Sequence, residues 1–410
     1  MYTKKFVVLV IIIILIGTSN YNKCFAQKRV NQINDIVDID KDNRIGIGDL
    51  IYALKVIAGM SDDHQKKPNF FDSNDVLSFT ITSEFDPAFK DAHAGEPDGI
   101  FPPQRLKYYF PGEFQLDGYN SVFVDIKVRG NSSLQECSFP KLKIKATKEE
   151  RSGTIFEDVR KIKIGTHCSD EDTPGHIGRL RSEIATHREA FVYQILKTLG
   201  IESMRARAAT ITYNDSSLSS TIVRDSFIFE HIDVLADRLN GKAIDDPSDI
   251  ETVYPQNAIM NPQIVSNIQF FQALIGNWDF NLPIVLSEEK GSKVWNMEMI
   301  VLSNNILLPI PTDFDLASIV TGKIDTRSPP ADLMPEQNDI TRQAAYYINK
   351  INKTFSNELI SVSKEIFESK KIELEKVLAD APLDDSGRSI ASEHISGFYL
   401  ALSLMFKEGP

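Results

Sequence analysis

The pattern of apolar and polar positions after about residue 77 predicts a strand-rich region followed by a helical one. Helical spacing is found in His187–Leu199, in Ile264–Ile275 and through most of residues 338 to 408. Because strands come first and helices afterwards, we predict an α+β fold with a two-lobed layout and a helical C-terminal part. Short runs with the composition or alternation of strands are Leu77–Thr82, Ser121–Val128, Leu142–Lys145, Val159–Ile164, Ala208–Tyr213, Ile222–Phe229, Lys293–Val301 and Ile306–Pro309.

The first 26 residues have the pattern of a secretory signal peptide. Lys4 and Lys5 form a basic start, Phe6–Ile16 is an uninterrupted apolar run, and Cys24–Ala26 has small residues where a signal peptidase cuts. The apolar run is about half as long as a bilayer-spanning helix, which makes an uncleaved anchor the weaker alternative. We therefore predict a secreted or extracytoplasmic protein with no membrane span after cleavage.

The overall charge limits the kinds of partner. The chain of 410 residues has a formal net charge of −12, with 42% hydrophobic and 25% charged residues. This composition is typical of a globular protein with one large domain or two ordinary ones. A general nucleic-acid binder needs basic surfaces that neutralise phosphates, so we expect no nucleic-acid partner.

The cysteine count suggests a disulfide. Removal of Cys24 with the signal peptide leaves Cys137 and Cys168, an even number in an exported chain. Each cysteine lies at the end of a strand-like run, so the two thiols could meet if those strands are neighbours. Two unpaired structural thiols are the alternative.

A twelve-residue acidic loop near the N-terminus has the spacing of a calcium site. Calcium takes six to eight oxygen ligands, which such a loop supplies at alternating positions. Asp38, Asp40 and Asp42 fill the first, third and fifth positions, Arg44 gives its carbonyl at the seventh, and Asp49 closes the loop. An acidic turn with a chance match is the alternative. The loop resembles a dockerin repeat, because an Asp stands where an EF-hand has Glu.

The calcium loop, the signal peptide and the strand-rich region together give the predicted domain organisation. The signal peptide occupies residues 1–26, a small EF-hand-like helical unit residues 27–60, a polar linker 61–76 and the large domain 77–410. Dockerins have two repeats and only one is found here, so docking to a cohesin is doubtful and a structural calcium unit is the better interpretation.

Several short segments of the large domain carry a family resemblance by their order along the chain. They are Arg129–Ser133, Phe139–Lys141, Lys161–Cys168, Arg188–Glu189, Phe229–Asp233, Gly276–Asp279 and Pro311–Asp315. On these segments, about residues 77 to 325 resemble the CotH family of spore-coat proteins, which is described as atypical protein kinases that use ATP and a divalent metal. The resemblance therefore implies a kinase-like domain that uses ATP with Mg or Mn and acts on an extracytoplasmic protein.

The first candidate site residues are basic. Lys141, Lys143 and Lys145 alternate on one predicted strand face, so any of them could reach the phosphates of a nucleotide. By the same alternation the three lysines could form a solvated edge. By resemblance, Glu189 on the predicted helix is the partner of such a lysine, although an isolated Glu on a helix is more often a surface acid.

The acidic candidates follow two apolar runs. Asp313 and Asp315 are two residues apart on a predicted strand, which would direct both carboxylates toward one cation and make Asp313 both catalytic and metal-binding. By resemblance, Asp279 orients the acceptor and Asn281 is a metal ligand. The alternative for Asp313 and Asp315 is a charged turn. The alternative for Asp279 and Asn281 is a cap at the end of a helix.

Three functions remain open on the sequence alone. The first is an exported CotH-like kinase, and the second is a non-catalytic binding or scaffold protein on that fold. A dockerin-borne polysaccharide hydrolase is the weakest, because its two carboxyl groups must flank the sugar bond, whereas Asp313 and Asp315 are predicted to point in parallel. The usual kinase signatures GxGxxG, HRD and DFG are not found in the sequence.

Calcium should order the N-terminal segment. Titration of calcium into residues 27–75 should raise the helical circular-dichroism signal, because the ion neutralises the crowded acids of the loop. Asp38→Ala with Asp40→Ala should abolish the rise, whereas Asp62→Ala with Asp63→Ala, outside the loop, should preserve it. A flat titration of the unchanged segment would remove the calcium hypothesis.

Overall fold

The computed structural model describes most of the predicted large domain. The signal peptide, the calcium-loop residues Asp38, Asp40, Asp42, Arg44 and Asp49, and the first half of the predicted linker lie outside the described residues, and their assignments stay predictions. The described residues are 69–93, 109–130, 132–170, 175, 178–245, 259–283, 294–324 and 333–406.

Seven strands close into a barrel in the order β1-β2-β3-β4-β5-β7-β6. Strand β1 pairs in parallel with β6 to complete the ring, and the other neighbours are antiparallel. The strands are β1 (Leu77–Ser83), β2 (Phe110–Leu116), β3 (Val122–Arg129), β4 (Lys141–Ala146), β5 (Lys161–Gly165), β6 (Ala206–Asp215) and β7 (Ser220–Glu230).

The alternation seen in the sequence decides which residues fill the barrel. On β4, Leu142 and Ile144 are fully buried inside, whereas Lys143 and Lys145 lie on the outer face. Phe70, from the predicted linker, is also fully buried and packs edge-on against Phe114 of β2. The packed core of the barrel therefore includes a residue that precedes the predicted start of the large domain at residue 77.

Three short helices lie beside the barrel, and one long helix connects it to the C-terminal part. The short ones are α1 (Phe85–His93), α2 (Ser132–Glu136) and α3 (Lys148–Arg151), and the long one is α4 (Ile184–Leu199). Helix α4 contacts β6 and β7 and belongs to the hydrophobic core of the C-terminal part. It therefore joins the barrel to the rest of the domain.

A small sheet and a helical bundle make up the C-terminal part. The elements are α5 (Ile232–Arg238), β8 (Gly241–Ala243), β9 (Ile259–Met260), α6 (Pro262–Ile275), β10 (Met297–Leu302), β11 (Ile306–Pro311), α7 (Ser318–Thr321), α8 (Asp339–Thr354), α9 (Asn357–Asp380) and α10 (Asp385–Met405). The sheet has the order β8-β10-β11-β9, α6 packs against β11, and the four longer helices α6, α8, α9 and α10 pack on one another. Among the described residues, no helix has the length and hydropathy needed to cross a membrane.

The predicted disulfide between Cys137 and Cys168 is present. Cys137 follows α2 and Cys168 follows β5, and their segments also share a backbone hydrogen bond from the Phe139 N–H to the Cys168 carbonyl, at 2.8 Å. The cross-link therefore fixes the loop that leads into β4 against the end of β5.

The mixed α+β class is confirmed, but the two-lobed layout is not. The first seven strands form a closed barrel, which differs from the lobe of a typical protein kinase. Closure depends on the pairing of β1 with β6, two strands about 130 residues apart in the chain. Periodicity within single strands carries no information on such a pairing.

Candidate functional site

A buried lysine lies between two carboxylates where the barrel meets the C-terminal part. The Lys141 Nζ donates to Asp313 Oδ1 at 2.7 Å and to Asp315 Oδ2 at 2.8 Å. Burial disfavours a charged ammonium, but the two carboxylates outweigh it and raise the pKa of Lys141 above its ordinary value. Residues far apart in the sequence thus form one ionised cluster.

The two aspartates do not lie on a strand, contrary to the prediction. Strand β11 ends at Pro311, and Asp313 then adopts a left-handed backbone with φ of 60°. Asp tolerates this region better than most residues. Both carboxylates reach the same ammonium because of this turn, and not because of strand alternation.

An arginine completes the charge balance of the buried aspartate. Arg179 Nε donates to Asp315 Oδ2 at 2.7 Å, and its Nη1 forms a very close ion pair with Glu136 at the end of α2. Lys141 and Arg179 together hold the pKa of Asp315 well below its usual range, against the effect of burial. Asp315 is therefore ionised at every physiological pH.

Glu189 of α4 is buried beside the same cluster. Its Oε1 accepts a hydrogen bond from the Phe314 N–H at 3.4 Å, and among the described contacts the Lys141 ammonium binds the two aspartates instead. Burial raises the pKa of Glu189 to about 7; Lys141 opposes the shift, while Asp315 and Asp313 add to it. The glutamate can therefore gain or lose a proton near neutral pH.

Aromatic rings pack around the charged cluster. The Phe314 ring packs edge-on against Tyr193 of α4, at 5.1 Å between centroids, and Tyr193 stacks on Phe229. The Arg129 guanidinium lies over the Phe229 ring, 4.9 Å from its centroid. These contacts exclude water and strengthen the electrostatic interactions inside.

Asp279 approaches the cluster from a turn after α6. Gly276 caps that helix with a left-handed φ of 63°, and an added Cβ would lie 2.9 Å from the Ser318 Cβ, so the turn requires glycine there. The Asp279 N–H donates to Asn277 Oδ1, and Asn296 Nδ2 donates to Asp279 Oδ2 at 2.9 Å. Burial, and then Asp313 and Asp315, raise the pKa of Asp279.

Two other predicted residues are placed differently. Lys143 lies outside the Asp313–Asp315 contacts, 5.6 Å from the Tyr109 ring centroid, and burial followed by Lys161 lowers its pKa. This placement separates it from Lys141, although the two share a strand face. Asn281 forms an isolated backbone bridge with Trp295, close in sequence to Asp279.

The oxygen atoms of the site fit a metal that arrives with a phosphate ligand. Asp313 uses Oδ1 for Lys141, is 42% exposed, and its Oδ2 makes no hydrogen bond with the described residues. Within this part of the chain, no group of three or more metal-binding side chains is arranged to hold an ion alone. Magnesium usually takes one or two carboxylates plus phosphate oxygens, and Asp313 Oδ2 could supply one of these carboxylate ligands.

The sequence interpretation missed Arg179 and Glu136. Arg179 lies before α4 outside any periodic segment, and Glu136 ends a helix of five residues, so neither has a local pattern. The tertiary contact with Asp315 alone reveals their role. Arg129 begins the matching segment Arg129–Ser133, but the sequence alone did not indicate a role for it.

Comparisons with known proteins give little support for a family. No family model matches the chain and no curated protein matches it, so the CotH and dockerin resemblances stay predictions. One similar solved structure is the Helicobacter pylori proinflammatory kinase CtkA, at 9% identity and a TM-score of 0.32, covering 64% of this chain and 94% of that chain. This likeness is too distant to carry an argument, and any function must rest on the site itself.

The pH dependence of stability should reveal Glu189. Its folded pKa of about 7 exceeds the ordinary 4.5, so the folded state keeps a proton that the unfolded state releases. This carboxyl should therefore lower the free energy of unfolding as pH rises from about 4.5 to 7, with no further loss above that range. Glu189→Gln should remove this decrease in denaturant unfolding measured across pH. The exposed control Glu202→Gln should match the unchanged protein, and a Glu189→Gln slope equal to wild type would contradict the assignment.

Proposed function

We propose that the domain is an exported kinase-like phosphotransferase that binds ATP with Mg or Mn and acts on an extracytoplasmic protein. The observation that carries the proposal is the Lys141 ammonium within 2.8 Å of both Asp313 and Asp315, beside a buried Glu189 with a pKa near 7. Groups with strongly shifted pKa values cluster at functional sites. The export and the acceptor rest on the sequence patterns described above.

The composition of the cluster matches what phosphoryl transfer requires. The reaction needs a cation on the phosphates, carboxylates for a metal that neutralises developing charge, and a group that orients the acceptor hydroxyl. Lys141 would supply the phosphate contact and Asp313 with Asp315 the carboxylates. Asp279, held by Asn296, would accept the hydrogen bond of the acceptor hydroxyl.

Stability alone is a weak explanation for this cluster. Desolvation of buried ions commonly cancels their attraction, so well-packed apolar residues of similar volume are often as stable or more stable. The site nevertheless holds Lys141, Arg179 and Asp315 in buried positions. A ligand that exchanges partners with these charges gives a reason for their presence.

A non-catalytic binding or scaffold protein is the second candidate. The favouring observation is that Lys141 and Arg179 already neutralise Asp315, so the cluster is electrostatically satisfied without a ligand. On this reading the ion pairs would hold the barrel to the C-terminal part and would serve only the fold.

Calorimetry with ATP separates the two candidates. The unchanged protein should bind ATP only in the presence of manganese, and Asp313→Asn should weaken that binding at least about tenfold, because a carboxylate ligand of the ion is lost. Asp313 is partly exposed and Lys141 keeps Asp315 as a partner in this variant, so the protein should stay folded with only a modest fall in melting temperature. The matched control Asp339→Asn, at an exposed aspartate that starts α8, should bind as the unchanged protein does.

Phosphate transfer supplies the second readout of this experiment. Asp279→Asn should keep manganese-dependent ATP binding and lose transfer, because the amide no longer draws the acceptor proton. Absence of ATP binding by the unchanged protein at millimolar manganese, with Asp313→Asn acting on stability alone, would overturn the kinase proposal in favour of the scaffold.

A further inference from the structure

A pocket on the outer face of the barrel concentrates positive charge in an acidic protein. It has a volume of about 360 Å³ and lies at the far end of β4 from Lys141. Its described lining contains no carboxylate and no aromatic ring. The residues that line it are Lys145, Ala146, Thr147, Lys148, Arg151, Arg160 and Lys161.

Three of the five cationic side chains already have carboxylate partners outside the lining. Lys145 pairs with Asp125, Lys161 with Asp233, and Arg160 with Asp237. These pairs cancel three positive charges locally. The pocket keeps the charge of the other two cations.

Lys148 and Arg151, both on α3, are those two. Neither makes an ion pair with any described residue, and the Arg151 Nε is buried without a hydrogen-bond partner in this part of the structure. Glu149 and Glu150, on the same short helix, are not among the lining residues. A buried donor without a partner is unfavourable, and a hydrogen bond to a ligand oxygen would remove that penalty.

The size of the residual charge selects the ligand. Two unmatched cations suit a phosphate monoester, which carries about −1.5 to −2 charge at pH 7, better than a carboxylate or a sulfate ester with a single charge. Arg also presents donors in a fork that fits phosphate oxygens. The lining has no aromatic ring to stack on a base, which disfavours nucleotides.

A row of lysines connects this pocket to the buried cluster. Lys141, Lys143 and Lys145 share the outer face of β4, and Lys143 lies directly between Lys127 of β3 and Lys163 of β5. Like charges opposite one another across strands are unfavourable. Glu298, which pairs with Lys163, and the Tyr109 ring near Lys127 and Lys143 compensate part of this repulsion, and an anionic ligand would add to this compensation. The four residue steps from Lys141 to Lys145 span roughly 13 Å, the reach of about four extended peptide residues.

We propose that this pocket binds the phosphate of a phosphorylated peptide that lies along the lysine row. Its further role, to position a peptide phosphorylated about four residues from the acceptor hydroxyl, rests on the proposed phosphotransferase activity. Binding itself does not require that activity. The pocket and the Lys141 cluster can therefore be tested separately.

The test is calorimetry of the whole exported chain with three matched peptide libraries that carry phosphoserine, serine or glutamate at one fixed position. The phosphoserine library should bind at least about tenfold tighter than the other two, because serine is uncharged and glutamate carries one negative charge, whereas the phosphate carries about −1.5 to −2 and has three acceptor oxygens. Lys148→Gln with Arg151→Gln should remove the preference. The control Lys353→Gln with Lys376→Gln, on exposed lysines of the helical part, has the same net charge and should keep it.

Each other result contradicts the proposal. Equal affinity for the three libraries, or a preference that survives Lys148→Gln with Arg151→Gln, would remove the phosphate site. Equal binding of glutamate and phosphoserine peptides would assign a general acidic-peptide surface. Displacement of the peptide by a single-stranded oligonucleotide of higher affinity would assign nucleic acid. The single variant Lys148→Gln changes an exposed side chain and should therefore stay folded. It should lose part of the preference for phosphoserine peptides.

The two proposals fail in different ways. Manganese-dependent ATP binding should be unchanged in Lys148→Gln with Arg151→Gln, since both side chains lie outside the Lys141 cluster. Loss of phosphopeptide preference with intact ATP binding confirms the pocket alone. ATP binding without phosphopeptide preference in the unchanged protein overturns the pocket and leaves the kinase proposal standing.

Discussion

The ammonium of Lys141, buried between Asp313 and Asp315, is the interaction on which the rest of the domain depends. It joins a barrel strand to the turn after β11 across more than 170 residues of chain. Removal of one partner from a buried ion pair typically costs about 3–5 kcal/mol, because the other charge stays desolvated. The positions of α4, of Arg179 and of the Asp279 turn are all consistent with the need to keep this charge compensated.

The same burial that makes the cluster costly makes it chemically useful. In a site of low dielectric, Asp315 stays ionised while Glu189, a short distance away, holds its proton up to about pH 7. Carboxyl groups with such different environments can take different roles in one reaction. The kinase proposal rests on this contrast, and the scaffold alternative rests on the completeness of the ion pairs.

The sequence predicted local structure well and long-range structure poorly. Alternation located the β4 strand and its lysine face, and apolar spacing located α4 with Glu189, because both patterns depend on near neighbours. It could not choose Lys141 over Lys143, since that choice depends on the distance to Asp313 in another part of the chain. Barrel closure and the Arg179 ion pairs were missed for the same reason.

A double-mutant cycle on folding stability tests the central claim most directly. Lys141→Met, Asp315→Asn and the double variant should show a coupling energy of at least about 1.5 kcal/mol in denaturant unfolding, because the two charges compensate each other in a buried site. The same cycle with Lys143→Met in place of Lys141→Met should be additive within about 0.5 kcal/mol. Additivity for Lys141 and Asp315 would contradict the account.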